Sequence, residues 1–341
     1  MKLYRWLALA ALIAGCVWMT GCKKEESTEL DYMTGKLTLS MPEFVNPGYT
    51  KTFMIDTLMK VRRPDGGPVG YRILNSETGA TDTLVTADGV IKEHYYTLTV
   101  SDDLSTQSLT LTAFVGPDVK YYTSSVSASY TVVNPGFGPD ASLTNVDFDE
   151  ADLFIDDRDL NIYFYAEVQG RDWMLHNLAW DVLGAPYKRC DAMTEVFGNY
   201  YTWEEAQVAC PDGWRLPTDA EWTELLIGAA PGRDLEGLAG LVMGDVYFNG
   251  KKMWEYWRDV TITNLYGLWM IPTGYATIAD DEYTFDGLYK YAAFWTADES
   301  DGLGICRYIY HDKDVVYRGK MSKTDFAASV RCVRETGFFD D

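Results

Sequence analysis

The sequence predicts two unlike units, an all-β sandwich over residues 36–134 and a larger α+β domain over residues 151–336. Three observations predict them. Short alternating apolar runs punctuated by turn residues fill the first stretch and lack helical periodicity. Two helix starts are written within residues 201–222. Tryptophan is also split unevenly. Trp6 and Trp18 lie near the N-terminus, and the other nine all fall between Trp173 and Trp295. At 341 residues the chain is long enough for two domains with additional terminal segments.

The first 21 residues read as a secretory leader. Lys2 and Arg5 form a basic n-region, and the apolar run from Trp6 to Met19 is shorter than the roughly 20 residues a bilayer span needs. The run ends in Thr20, Gly21 and Cys22 and resembles the bacterial lipobox, in which the cysteine is acylated and becomes the mature N-terminus. Cys16 is the other candidate. Cys22 is preferred because charged residues from Lys23 to Glu29 follow it directly and suit a solvated tether over residues 22–35. That stretch also resembles the export signals of surface lipoproteins in Bacteroidetes-type bacteria. The expectation is a lipid anchor in the outer membrane, with the chain at the cell surface.

Within residues 36–134, Leu37, Leu39 and Met41 alternate with polar residues, as do Tyr96, Leu98 and Val100, and Leu109, Leu111 and Ala113. Turn signals recur at Asn46, Pro47 and Gly48, at Asp65, Gly66 and Gly67, at Asp88 and Gly89, and at Gly116 and Pro117. Short strands at this spacing suggest a sandwich. The stretch 96–134 resembles PKD-like, immunoglobulin-fold modules, which implies a spacer. Residues 135–150 read as a linker, opened by Pro135, Gly136, Gly138 and Pro139. The acidic run 147–159 lacks the glycine and terminal glutamate of an EF-hand and reads as solvated rather than as a calcium loop. Residues 157–163 read as the entry to an edge strand.

The helix starts come next. Thr202 with Glu205, and Thr218 with Glu221, fit the capping box, in which hydroxyl and carboxylate reciprocally satisfy orphan N–H groups. Cys210, Pro211, Asp212 and Gly213 end the first helix. Trp203, Trp214 and Trp222 give this short unit a large apolar payload, so it reads as a packing nucleus.

Five ordered blocks carry a more specific resemblance. They are Gln169 to Leu178 (with Trp173, His176 and Asn177), Gly198 to Trp203, Ala209 to Trp222, Gly274 with Tyr275 and Ala293 to Thr296, and Ser329 to Arg334. Together they resemble the Fibrobacter succinogenes major paralogous domain (FISUMP), thought to be related to the C-type-lectin-like fold. The Trp214 to Trp222 segment also resembles the formylglycine-generating enzymes. The resemblance implies two helices, a small twisted sheet and a long irregular loop region. It supplies no shared biochemical activity.

With Cys16 removed in the leader and Cys22 acylated, four cysteines remain, all in the second unit, and three pairings are open. The lectin-like pattern implies Cys210 with Cys332, which leaves Cys190 with Cys306. Zinc is disfavoured because no C-x-x-C spacing occurs.

The chain carries 51 acidic and 29 basic residues, a net charge of −22. That balance disfavours nucleic acid or an anionic surface as the principal partner. Its three histidines, His94, His176 and His311, accompany no nucleophile signature, and neither a phosphate loop nor a dinucleotide fingerprint is present. His176 and Asn177 read as packing residues. No catalytic residue, cofactor or metal is predicted. Lectin-type calcium motifs are missing too, Trp295 being followed by Thr296, Ala297 and Asp298. The expected binding surface lies within residues 242–295, where aromatic faces beside carboxylates suit sugar rings or protein anchors. Trp254, Trp257, Tyr275, Asp280, Asp281 and Tyr283 form the predicted set. The expected function is ligand recognition, of glycan or protein, without catalysis. The alternatives are an enzyme on the same head, either a formylglycine-type oxidase or a hydrolase, and a purely structural envelope component.

Overall fold

The computed structural model describes residues 30–118 and 120–337. The leader, Cys22 and the first part of the tether lie outside the described residues. Strand accounts for 39% of the structure and helix for 10%, in several small sheets.

The N-terminal unit contains β1 (Phe44–Val45), β2 (Thr50–Met54), β3 (Gly70–Asn75), β4 (Thr81–Val85), β5 (Tyr95–Thr99), β6 (Thr106–Phe114) and β7 (Ser124–Val132). Five of them form a sheet in the order β1-β7-β6-β3-β4, and β2 pairs with β5 in a separate ribbon. The alternation in β6 turns Leu109, Leu111 and Ala113 inward, where they are fully buried with Ile73, Leu84 and Tyr130. Phe53 and Leu98 of the ribbon close the same core. On the outer face hydroxyls pair across β6 and β7, Thr110 with Ser127 at 2.8 Å and Thr112 with Ser125 at 2.9 Å. A two-period pattern therefore suffices to separate core from surface here. Residues 30–35, read as tether, instead dock on this unit. The Asp31 N–H donates to the Lys120 carbonyl, and Tyr32 stacks on Tyr122.

The segment read as a linker is ordered structure. The Ser142 N–H donates to the Asn134 carbonyl at 2.8 Å, closing a loop. Next, β8 (Leu143–Thr144) pairs with Tyr247–Phe248. The acidic run contains β9 (Asp152–Ile155), an edge strand beginning earlier than expected. After a turn come β10 (Ile162–Val168) and β11 (Arg171–Met174). The correction has a physical reason: Phe137 and Phe148 supply apolar area that a solvated linker does not contain.

The helices that follow include α1 (Thr194–Phe197), α2 (Trp203–Ala209) and α3 (Asp219–Glu224). Both expected capping boxes form, at Thr202 with Glu205 and at Thr218 with Glu221. At the head of α3 the Asp219 carboxylate accepts from Arg307 Nε at 2.7 Å and from Arg318 Nε at 2.8 Å. Glu221 meanwhile takes a bidentate pair from Arg215 at 2.7 and 2.8 Å. The Trp214 to Trp222 block is thus built into an ion-pair and packing node.

The region expected to be irregular contains a hairpin of β12 (Tyr275–Ala279) and β13 (Glu282–Asp286), followed by β14 (Tyr291–Ser300), β15 (Leu303–Tyr310) and β16 (Val315–Met321). Finally β17 (Val333–Glu335) completes a sheet of order β17-β11-β10-β9. Alternation along these strands feeds two cores. Ala292 and Phe294 face one core with Trp173, Trp222 and Trp254, whereas Ala293 and Trp295 face the other with Tyr163, Met174 and Cys306. A third cluster joins the two units, with Phe44 and Val133 packed among Tyr187, Phe197 and Phe248.

A disulfide joins Cys210, at the end of α2, to Cys332, just before β17. Cys190 and Cys306 do not pair and are both buried free thiols. The reason is their location. Cys190 belongs to the core shared by the units, whereas Cys306 sits mid-strand in β15, opposite Trp295 and facing a different core.

Candidate functional site

The six residues predicted to bind ligand do not converge. Trp254 is 1% exposed and its indole N–H donates to the Met270 carbonyl at 2.9 Å, so it is a core residue. Trp257 is 40% exposed and lies edge-on to His311, at 6.0 Å. Tyr283 pairs with Ile278 across the hairpin, and Tyr275 lies three residues before Ile278. Side chains alternate along a strand, so the two tyrosines occupy opposite faces. Tyr275 stacks on Phe326, while Tyr283 stacks on Phe285 beneath the Arg189 guanidinium. Asp280 and Asp281 are exposed at the two-residue turn and have φ of 51° and 62°. They supply the left-handed conformations such a turn requires.

A different site is built at the junction of the connecting segment with the head. A cleft of about 610 Å³ opens between the loop 136–148, the β9–β10 hairpin and the turn after β11. Its wall is aromatic. Phe137 meets Phe148 edge-on at 4.7 Å, and Phe148 stacks on Phe164, also at 4.7 Å. Trp269 closes one side, edge-on to Phe148 at 6.2 Å. The rings come from three separate sources, a docked loop, a strand and the irregular segment before β12, which explains why no local motif announces the site. The one signal in the sequence was the pair of phenylalanines within an otherwise acidic linker.

Three polar side chains reach this cleft. His176 stacks on Tyr163 at 5.1 Å, and its Nε2 accepts the Phe164 N–H at 3.0 Å. Burial, reinforced by the Arg331 charge, lowers its pKa to about 3, so the ring is neutral. Arg331 is 1% exposed. Its Nε donates to Asn177 Oδ1 at 2.8 Å, and its other nitrogens donate to the carbonyls of Met174, Leu268 and Trp269. Burial lowers its pKa to about 9. Among the described residues no carboxylate pairs with it, so one cation stands behind the cleft held only by neutral acceptors. Asn177 in turn donates to the Phe197 carbonyl at 2.9 Å. Gly198 permits this approach: its φ is 77°, and a Cβ there would lie 2.6 Å from Asn177 Cβ. Exposed Asp149 and Glu195 stand at the rim.

The arrangement provides an aromatic-walled recess with fixed polar groups at its base, a composition common to small-molecule sites. Among the described residues no three His, Cys, Asp or Glu side chains cluster to hold a metal. The Cys306 thiol is pushed up to about 12 by burial.

These features define a β-rich, disulfide-tied head packed on a smaller β unit, with an aromatic cleft where the connecting segment lies against the head. Residues 167–334, which include β11, α1 to α3 and the Arg331 segment, match the family described as Fibrobacter succinogenes major domain. No curated protein and no solved structure matches the chain.

Proposed function

We propose that the protein is a lipid-anchored outer-membrane protein, displayed at the cell surface, whose head recognises a ligand, glycan or protein, without catalysis. In this reading a PKD-like, immunoglobulin-type module carries a C-type-lectin-like head, and Cys22 bears the lipid. The observation that carries the binding role is the junction cleft. Its volume of about 610 Å³ falls within the range of small-ligand sites, about 300–1,000 Å³, and such sites combine apolar walls with a few fixed polar groups. Arg331, Asn177 and His176 are those groups.

Two observations weigh against the oxidase alternative. A copper-binding thiol pair needs accessible neighbouring cysteines. Cys332 is engaged with Cys210, and Cys306 and Cys190 lie in separate cores. Among the described residues no helix is long and apolar enough to cross a membrane; in this reading Cys22 carries the anchor.

Ligand binding is tested by screening the full chain and its Ile162→Trp variant on a glycan array and a peptide library. Ile162 lines the cleft and is 51% exposed, so the larger ring narrows the mouth without disturbing a core. Saturable binding that this variant loses is the expected result. Equal binding by both chains rules out the cleft, and blank screens turn the weight to a structural role. Anchoring is tested by Cys22→Ala, which should release the chain from membranes.

A further inference from the structure

The apolar face that lines the cleft does not end at its mouth. In β10, Phe164, Ala166 and Val168 pack on the tryptophan-rich core, and Ile162 continues the same face. Across the ladder Ile162 pairs with Ile155, and Phe164 pairs with Leu153. These four side chains therefore share one side of the sheet, and the core cover stops at Phe164. Beyond it Leu153 is 51%, Ile155 48% and Ile162 51% exposed, with Leu160 at the turn 73% exposed. The opposite face of the same strands is fully used, since Tyr163 and Phe154 pack in the second core.

The backbone there is also open. β9 is the last strand of the order β17-β11-β10-β9. The Asp156 N–H donates to the Asn161 carbonyl at 2.9 Å. By antiparallel alternation Phe154 and Asp152 then bond inward to β10, leaving the N–H and C=O groups of Leu153 and Ile155 directed outward. Natural edges are commonly blunted with lysine or proline, and β9 contains neither.

Charge identifies the occupant. Between Asp140 and Glu167 the chain holds nine carboxylates and a single cation, Arg158. That cation is engaged with Asp156 and lies over the Trp180 ring. Asp147, Asp149, Glu150, Asp152 and Asp157 are exposed around the edge.

We propose that β9 is a docking edge for an extended, basic polypeptide segment, which adds as a strand and sets apolar side chains against Leu153, Ile155 and Ile162 and into the cleft. Main-chain bonds to the open edge supply affinity, alternate side chains read the apolar face, and flanking lysine or arginine meets the acidic rim. The inference rests on the ligand-binding reading above and chooses protein over glycan within it.

The test is fluorescence polarisation with the full chain and a short labelled peptide in which lysine alternates with valine and phenylalanine. The same peptide with glutamate for lysine is the comparison. Saturable binding of the basic peptide alone, weakened by added salt, is expected. Leu153→Pro removes an outward N–H without touching the ladder to β10, and should weaken binding about tenfold or more. A combined Asp149→Lys and Asp152→Lys change should do the same while leaving the thermal midpoint within a few degrees of the parent, which separates lost docking from lost folding. Equal binding of both peptides, or a Leu153→Pro chain that binds normally, overturns docking at β9. So does a dimer that Leu153→Pro dissolves, which would assign the edge to a second copy. If no peptide binds while a glycan is retained and lost in Ile162→Trp, the strand-addition inference fails and the ligand-binding reading stands. If peptides and glycans both fail, both readings fall.

Discussion

Removing the Cys210–Cys332 bridge should cost at least as much stability as emptying the site of a buried tryptophan. The bridge closes a sequence separation of 122 residues, spanning α3 and the strands through β16. In the chain-entropy description a loop of that length removes about 5 kcal/mol of conformational freedom from the unfolded chain. At roughly 2–4 °C per kcal/mol for a domain of this size, the thermal midpoint should fall by about 10–20 °C. The clean variant is the double Cys210→Ala and Cys332→Ala, because a single change leaves a thiol able to exchange with Cys190 or Cys306 in the unfolded state. The assay is guanidinium denaturation of parent and variant with and without reductant, together with thiol titration of the unfolded, unreduced chain. Reductant should shift the parent to the variant's midpoint and leave the variant where it was. Coincident midpoints for oxidised and reduced parent would refute the reasoning. Titration that finds Cys190 and Cys306 oxidised would refute the placement of those two residues in separate cores.

Other perturbations follow from the same geometry. Trp254→Ala should cost about 3–5 kcal/mol because the ring is fully buried, while Trp257→Ala should stay within about 0.5 kcal/mol, both read by chemical denaturation; comparable losses would contradict their assignments. Asp219→Asn leaves Arg307, which is 0% exposed, without its carboxylate and should cost about 3–5 kcal/mol. Leu replacing Arg307 in that background should recover part of the loss, and no recovery would count against the ion pair as its cause. The His176 pKa is lowered to about 3 in the folded chain, so the unfolded chain binds the extra proton first. Stability contributed by the neutral ring is intact above about pH 6.5 and declines as the pH falls toward 3, by about 1.4 kcal/mol per unit at most. His176→Gln should flatten that part of the stability–pH curve, and an unchanged slope would place its cause elsewhere.

What the sequence reveals and what it hides divide along the range of the interactions. The capping boxes at Thr202 and Thr218 were legible because donor and acceptor lie three residues apart. The core side of β6 was legible because a strand's alternation is local. Trp254 and Trp257 are three positions apart in the same aromatic stretch, yet one is core and the other surface, and only long-range packing makes that choice. Tyr275 and Tyr283 looked like neighbours on one platform. A two-residue turn at Asp280 and Asp281 fixes the hairpin register and sends them to opposite faces. The junction cleft was hidden for a related reason. Acidity dominated the reading of residues 135–159, although Phe137 and Phe148 within it carry the apolar area that ties the segment down.

Hydrogen–deuterium exchange of the full chain, with and without a ligand recovered from the array or the library, tests the placement of the site most directly. Protection should appear in residues 136–148, the β9–β10 hairpin and the turn at His176 and Asn177, and should vanish in Ile162→Trp. Protection confined to residues 254–291, with those segments unchanged, would contradict the junction cleft as the binding site and return the function to the aromatic loop surface.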